Sequence, residues 1–184
     1  MGGWWQQVWD TVLVEFSDLP DAAQVTRVTV RLLIAALLGG ALGYEREKKG
    51  KAAGMRTHML VTLGAALFIL IPQQAGVTDA DLTRVVQGLV TGVGFLSAGA
   101  IIRIGEEVQG LTTAAGIWLT AAIGMAAGMG REATAILCTV LALAVLSILP
   151  HVAQSLESRD QPPNSQPPPE PGPSKSPKKQ GASE

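Results

Sequence analysis

Few residues in this chain can do acid–base or ligand chemistry, and most of them sit at the ends of apolar runs. Only two histidines, His58 and His151, could serve as near-neutral bases, and no nucleophile elbow, phosphate loop or zinc-ligand spacing accompanies them. Cys138 is the single cysteine and lies inside an apolar run, which excludes an intramolecular disulfide or a cysteine metal cluster and marks it as a small packing residue. Catalysis, a cofactor and a metal centre are therefore not expected. The charged stretch Glu45-Arg46-Glu47, followed by Lys48, Lys49 and Lys51, mixes signs. Its cations suit anionic lipid headgroups and its carboxylates suit Arg56 or another chain, while a solvated loop is the plainer account of the lysines. Gly54-Met55-Arg56-Thr57-His58 opens the next apolar run, with Thr57 as a cap and a helix N-terminus beside Arg56 suited to an anion. His58 either titrates near neutrality or hydrogen-bonds a carbonyl, the second being commoner. Leu111-Thr112-Thr113 opens a later run in the same manner, beside Glu106 and Glu107, which could hold a divalent cation loosely or simply be hydrated. Arg31 is the one charge well inside an apolar run. Snorkelling outward is favoured for it over pairing with Glu15, Asp18, Asp21, Asp79 or Asp81.

The elements that must position these residues are membrane helices. The chain has 184 residues, 47% hydrophobic and only 16% charged, and Glu157 to Glu184 form a polar tail that dilutes a still more apolar body. A net charge of 14 − 15 = −1, with no basic stripe, argues against nucleic acid as a partner. A spanning helix needs about 20 mostly apolar residues. Met59–Thr78, Val85–Ile102, Val108–Gly130 and Ala133–Pro150 are apolar enough to qualify, and Val25–Tyr44 is a fifth, weaker candidate because it contains Arg27 and Arg31. The expected architecture is an all-α polytopic bundle of about five transmembrane helices spanning residues 21–152.

Lys and Arg concentrate in the first connector (Arg46, Lys48, Lys49, Lys51, Arg56) and in the tail (Arg159, Lys175, Lys178, Lys179). The positive-inside rule puts both in the cytoplasm and, with five spans, the N-terminus outside. In residues 1–20, Trp4, Trp5, Val8, Trp9, Val12, Leu13 and Phe16 form an apolar stripe. The segment reads as an amphipathic helix lying at the membrane interface or packed on its own protein. Ser17-Asp18-Leu19-Pro20 ends it, and Asp21 with Gln24 resembles a capping box opening the first span. Residues 153–184, rich in Pro, are expected to be a disordered cytoplasmic tail or a ligand for a partner domain.

Small residues recur every four positions at Gly39 and Gly43, at Gly88 and Gly92, and through Gly116, Thr120, Gly124 and Gly128, the spacing that lets membrane helices approach closely within one chain or between two copies. A shift of 56 residues aligns Gly54–Ala66 with Gly110–Ala122 at five identities and superposes Gly43 on Gly99. Duplication of a helix pair, or chance recurrence of Gly, Ala and Leu, would produce this.

The stretches RLLIAALLGGALGYEREKKGKAAGMRTHMLVTLGAALF and RVVQGLVTGVGFLSAGAIIRIGEEVQGLTTAAGIWLTAAIGMAAGMG closely resemble the MgtC/SapB family of bacterial inner-membrane proteins, from about Arg31 to Gly130. The resemblance implies a multi-pass protein of the bacterial cytoplasmic membrane, tied to growth in low magnesium and thought to restrain ATP synthase rather than to carry magnesium. The family pattern falls on Arg31, Gly43, Glu45, Arg46, Gly54, Arg56, Thr57 and His58. In the second half it falls on Gly92, Gly94, Phe95, Gly99, Gly110, Leu111, Thr112, Thr113 and Trp118. Arg31, Glu45, Arg46, Arg56, Thr57, His58, Thr112 and Thr113 are the expected functional surface. Gly39, Gly43, Gly88, Gly92, Gly99, Gly116, Gly124 and Gly128 are the expected packing positions. Ser97 stands where the family usually has Gly, and the Pro-rich tail replaces the soluble domain of virulence-type members, so the chain looks like the shorter SapB type. Two functions follow: a non-enzymatic modulator of ion homeostasis or of a membrane complex, alone or as a homo-oligomer, or a transporter or channel for magnesium or another small solute.

Overall fold

The computed structural model describes residues 3–15 and 21–160, with side chains as far as Ile148. Its order is α1 (Gly3–Glu15), α2 (Ala22–Lys48), α3 (Met55–Gln74), α4 (Asp79–Ala98), β1 (Ile102–Ile104), β2 (Glu107–Gln109), α5 (Leu111–Gly128) and α6 (Glu132–Asp160). The all-α bundle is thus as expected, with one small hairpin added. One unit runs to Leu146, and residues 147–184 form a second. Helix α6 continues past residue 153 to Asp160, so the segment expected as tail begins as helix; the remainder of that tail, like Phe16 and the breaker Ser17-Asp18-Leu19-Pro20, lies outside the described residues.

Among the described residues, α2, α3 and α5 are long and apolar enough to cross a membrane, and Glu132–Ile148 of α6 is apolar but shorter. Helix α4 starts at Asp79, not Val85, because the Thr78 hydroxyl accepts the Asp81 N–H and caps it there. Asp79, Asp81 and Arg84, expected in a loop, therefore lie in its first turns. At the start of α2, the Gln24 N–H donates to Asp21 Oδ1 at 2.6 Å, which is the cap read from sequence. Every side chain of α1 is exposed, leaving its Trp4, Trp5 and Trp9 stripe open along the helix, as an interfacial location requires.

The second connector is where sequence and structure part most. Ile102 and Val108, read as the ends of two spans, instead pair across an antiparallel hairpin in the register Ile102↔Gln109, Arg103↔Val108, Ile104↔Glu107. Gly105, at φ 64°, takes the left-handed first position of its two-residue turn. Gly110, at φ 89°, then turns the chain into α5, and a Cβ there would collide with the Ala100 carbonyl.

The core is built from alanines and two isoleucines on α2, α3, α5 and the start of α6: Ala35, Ala66, Ile69, Ile123, Ala127 and Ala135 are essentially inaccessible. Close approach requires glycine. A Cβ on Gly39 would meet Thr62 Oγ1 and the His58 carbonyl, one on Gly43 would stand 2.5 Å from Met55 Cα, and one on Gly128 would stand 2.7 Å from the Ala66 carbonyl. Gly124 likewise abuts the Thr62 backbone. Four of the expected packing positions are therefore packing positions. Among the described residues nothing lies within 4 Å of a Cβ on Gly88 or Gly92, and Gly99 serves as the C-cap of α4. Gly116 has only His58 Nε2 nearby, at 3.8 Å. The outside of the bundle carries exposed Leu33, Leu37, Leu60, Phe68, Phe95 and Leu137, an apolar surface suited to lipid.

Ser97 is 6% exposed, and its hydroxyl has no hydrogen-bond partner. Ser97→Ala should leave the unfolding free energy in detergent unchanged or raise it by up to about 1 kcal/mol, because it removes an unsatisfied buried oxygen. A fall in stability would show that this hydroxyl is satisfied by something outside the chain.

Candidate functional site at the connector end of the bundle

The two connectors meet at one end of the bundle, where α2 ends and α3 and α5 begin. Helix α2 is long enough to carry the polar run Glu45-Arg46-Glu47-Lys48 as its last turn, and the inward face of that turn takes Arg46 into the protein at 4% exposure. Arg46 Nη1 lies 3.7 Å from Glu45 Oε2, and Lys49 Nζ lies 2.6 Å from Glu45 Oε1 in an ion pair without hydrogen-bond geometry. Lys49 also donates to the Leu146 carbonyl of α6. Of the two partners expected for these carboxylates, Arg56 and another chain, Arg56 is not used within this chain: Glu45 faces Arg46 and Lys49, and Glu47 Oε2 accepts the Met55 N–H at 2.9 Å. Arg56 and Thr57 are exposed on the first turn of α3.

This arrangement also corrects the cap of α3. Gly54, not Thr57, is the N-cap, and the helix begins early enough that the Glu47 carboxylate reaches its first N–H. The anion site expected beside Arg56 is thus filled by the chain's own carboxylate. His58 is 2% exposed with Nδ1 3.0 Å from the Gly54 carbonyl, the commoner of its two expected roles.

Two concavities flank this centre. One, of about 600 Å³, is lined by Arg46, Lys51, Glu107, Gln109, Thr112 and Thr113 among others, and so joins Arg46 from the first half of the chain with both threonines from the second. Thr113 is buried and Thr112 exposed at its rim. The other, of about 380 Å³, is apolar, with His58, Thr112, Leu42, Cys138 and Leu146 in its wall. Cys138 packs against the core there, as expected of a small apolar residue. Sequence reasoning missed Gln109 and the capping role of Glu47, and gave Lys51 only a general role among the cations suited to anionic headgroups. Lys51 read as one more loop lysine; only the hairpin, signalled by the alternating Ile102-Arg103-Ile104 and Glu107-Val108-Gln109 around Gly105, brings β2 opposite it.

Arg31 belongs to none of this. It sits toward the other end of α2, fifteen residues or about 22 Å from Arg46 along the helix. Its Nη1 donates to the Gly128 carbonyl at 2.9 Å and to Gln73 Oε1 at 3.2 Å, and its Nε lies 3.8 Å from Glu132 Oε1. Among the described residues, Glu15, Asp21, Asp79 and Asp81 do not pair with it, and Asp18 lies outside them; rather than only snorkelling outward, Arg31 bonds to the ends of α3 and α5, because α2 projects beyond those ends and Arg31 lies level with them. The remaining buried hydroxyls of the interior are engaged on their own helices: Thr62 donates to the His58 and Met59 carbonyls, Thr120 to Gly116 and Thr139 to Ala135.

Residues 32–155 match the model of the MgtC family. Over 127 residues the chain is 43% identical to "Putative magnesium transporter YhiD" of Escherichia coli (strain K12), covering 65% of this chain and 59% of that protein. It is 42% identical over 123 residues to MgtC of Brucella abortus (strain 2308), covering 67% and 51% respectively. To SrpB of Synechococcus elongatus it is 41% identical over 133 residues, covering 65% and 73%. The chain thus spans only about half to three-fifths of YhiD and MgtC. No solved structure matches it.

Proposed function

The chain belongs to the MgtC family of membrane proteins, and from that premise we propose that it acts without catalysis, modulating magnesium or proton homeostasis by contacting another membrane complex through its connector end. The name of one relative, the putative magnesium transporter YhiD, supports the link to magnesium. The observation that carries the reading is the distribution of polar groups. Inside the bundle, Thr62, Thr120 and Thr139 are hydrogen-bonded to their own helices, while Arg56, Lys51, Glu106 and Glu107 stand exposed at one end. Exposed charge of both signs on a rigid base is the chemistry of recognition. The positive-inside bias of Arg46, Lys48, Lys49, Lys51 and Arg56 supports a cytoplasmic location for that end and an outer N-terminus. Family resemblance makes ATP synthase the first complex to examine. The alternative, a magnesium or solute transporter, is supported by the name of YhiD.

Ion flux in proteoliposomes holding only this protein separates the two. The modulator predicts no magnesium or proton movement above empty vesicles from folded protein. It also predicts that Arg56→Glu, at an exposed position, abolishes the growth phenotype in low magnesium with unchanged membrane insertion. Flux from the pure protein would establish the transporter.

A further inference from the structure

The starts of α3 and α5 are related by the 56-residue shift, which carries Gly54 onto Gly110 and Met55 onto Leu111, and both glycines are N-caps. The two helix starts are satisfied differently. Glu47 closes the first; the same shift carries Glu47 onto Arg103, whose Nε turns away to the Gly105 carbonyl at 3.0 Å. Gly110 supplies no side-chain cap, so the N–H groups of Leu111, Thr112 and Thr113 have neither a helical partner nor a capping side chain. They open on the 600 Å³ concavity that Arg46 and Lys51 also line. Arg46 is 96% buried by its 4% exposure, and its Nη2 has no hydrogen-bond partner. A guanidinium, an ammonium and the positive end of an 18-residue helix therefore converge on one space. Glu45 at 3.7 Å and Glu107 on the rim offset only part of that charge.

We propose that this concavity is a binding site for a phosphoryl oxyanion, held by Arg46, Lys51 and the uncapped N-terminus of α5. A phosphoryl group matches the donors: several oxygens for an array of backbone N–H groups, and a face that a guanidinium fork can engage. The group can be that of an anionic lipid at the membrane surface or of a free phosphate compound. The site shares Lys51 and Glu107 with the proposed contact surface, but binding there needs no partner protein.

The test uses the full chain purified in detergent. In one arm, inorganic phosphate is titrated by calorimetry. In the other, retention of phosphatidylglycerol over phosphatidylcholine is measured by native mass spectrometry. Lys51→Glu, on an exposed residue that leaves the fold intact, should weaken binding at least tenfold, and Arg46→Lys should weaken it similarly if its melting temperature is unchanged. Lys48→Glu, the same charge change outside the concavity, should have little effect. Loss in the phosphate arm assigns a free phosphate compound, and loss in the lipid arm alone assigns a headgroup. Indifference of both arms to Lys51→Glu, or equal loss with Lys48→Glu, overturns the site. Neither result depends on ion flux or on a partner, so failure here is distinct from failure of the proposed function.

Discussion

Gly124→Val should unfold the bundle's centre, whereas Gly88→Val and Gly92→Val should be tolerated, although all three glycines lie in the same kind of four-residue repeat. A Cβ on Gly124 meets the Thr62 backbone and stands 3.0 Å from Ala65 Cβ, so the added atoms press on the main chain of α3, which has no rotamer to yield. Overpacking of this kind costs about 1–3 kcal/mol where side chains can move, and more where backbone must. The expected result is a loss of about 3 kcal/mol or more in denaturant titration, or failure to recover folded protein. Among the described residues nothing lies within 4 Å of a Cβ on Gly88 or Gly92, and substitution there should stay within about 0.5 kcal/mol. A large effect at Gly88 with normal monomer stability would place a second copy of the chain on that face of α4.

The contrast shows what the sequence makes legible. Periodicity identifies faces, because a residue every four positions must share one side of a helix; it does not say what lies opposite. Gly39, Gly43, Gly124 and Gly128 have backbone against them, while Gly88 and Gly92 carry the same signal and face open space. The helices themselves were readable because apolar length is a local property. Where they end was less so: caps at Thr78 and Gly54 depend on which hydrogen bonds win, and Glu47 reaching across the connector to Met55 is a contact that spacing alone does not specify. The hairpin was hidden for a related reason. Ile102 and Val108 are apolar and adjoin apolar helices, so hydropathy absorbs them into spans, although alternation around Gly105 carries the strand pattern. Arg46, Thr112 and Thr113 were singled out as functional candidates and do line one concavity, but its other basic wall, Lys51, only becomes distinctive once β2 stands opposite it.

Arg31→Met should be the second large effect, and it bears on how any transport experiment is read. Arg31 ties α2 to the last turns of two other helices: it supplies a charged donor to the otherwise unpaired carbonyl of Gly128 at the end of α5 and to Gln73 at the end of α3. Its side chain is 18% exposed, and the bond to Gly128 is partly buried while the bond to Gln73 is exposed, so the Gly128 bond carries most of the effect. A charged hydrogen bond contributes about 1.5–3 kcal/mol, and a cation at a helix C-terminus adds about 0.3–1 kcal/mol. Removing both should cost about 2–4 kcal/mol in detergent denaturation. Glu132 is 35% exposed and 3.8 Å away, so Glu132→Gln should cost no more than about 1 kcal/mol. Arg31→Lys should fall between wild type and Arg31→Met, since an ammonium keeps the charge at the helix end but not the fork that reaches Gly128 and Gln73 together. Stability and activity should therefore decline in the same order across Arg31→Lys and Arg31→Met if Arg31 is a clamp between helix ends. An Arg31→Ala protein that melts like wild type yet loses ion flux would instead put this residue on a conduction path, because a clamp has no means of affecting flux while leaving the fold as stable as before.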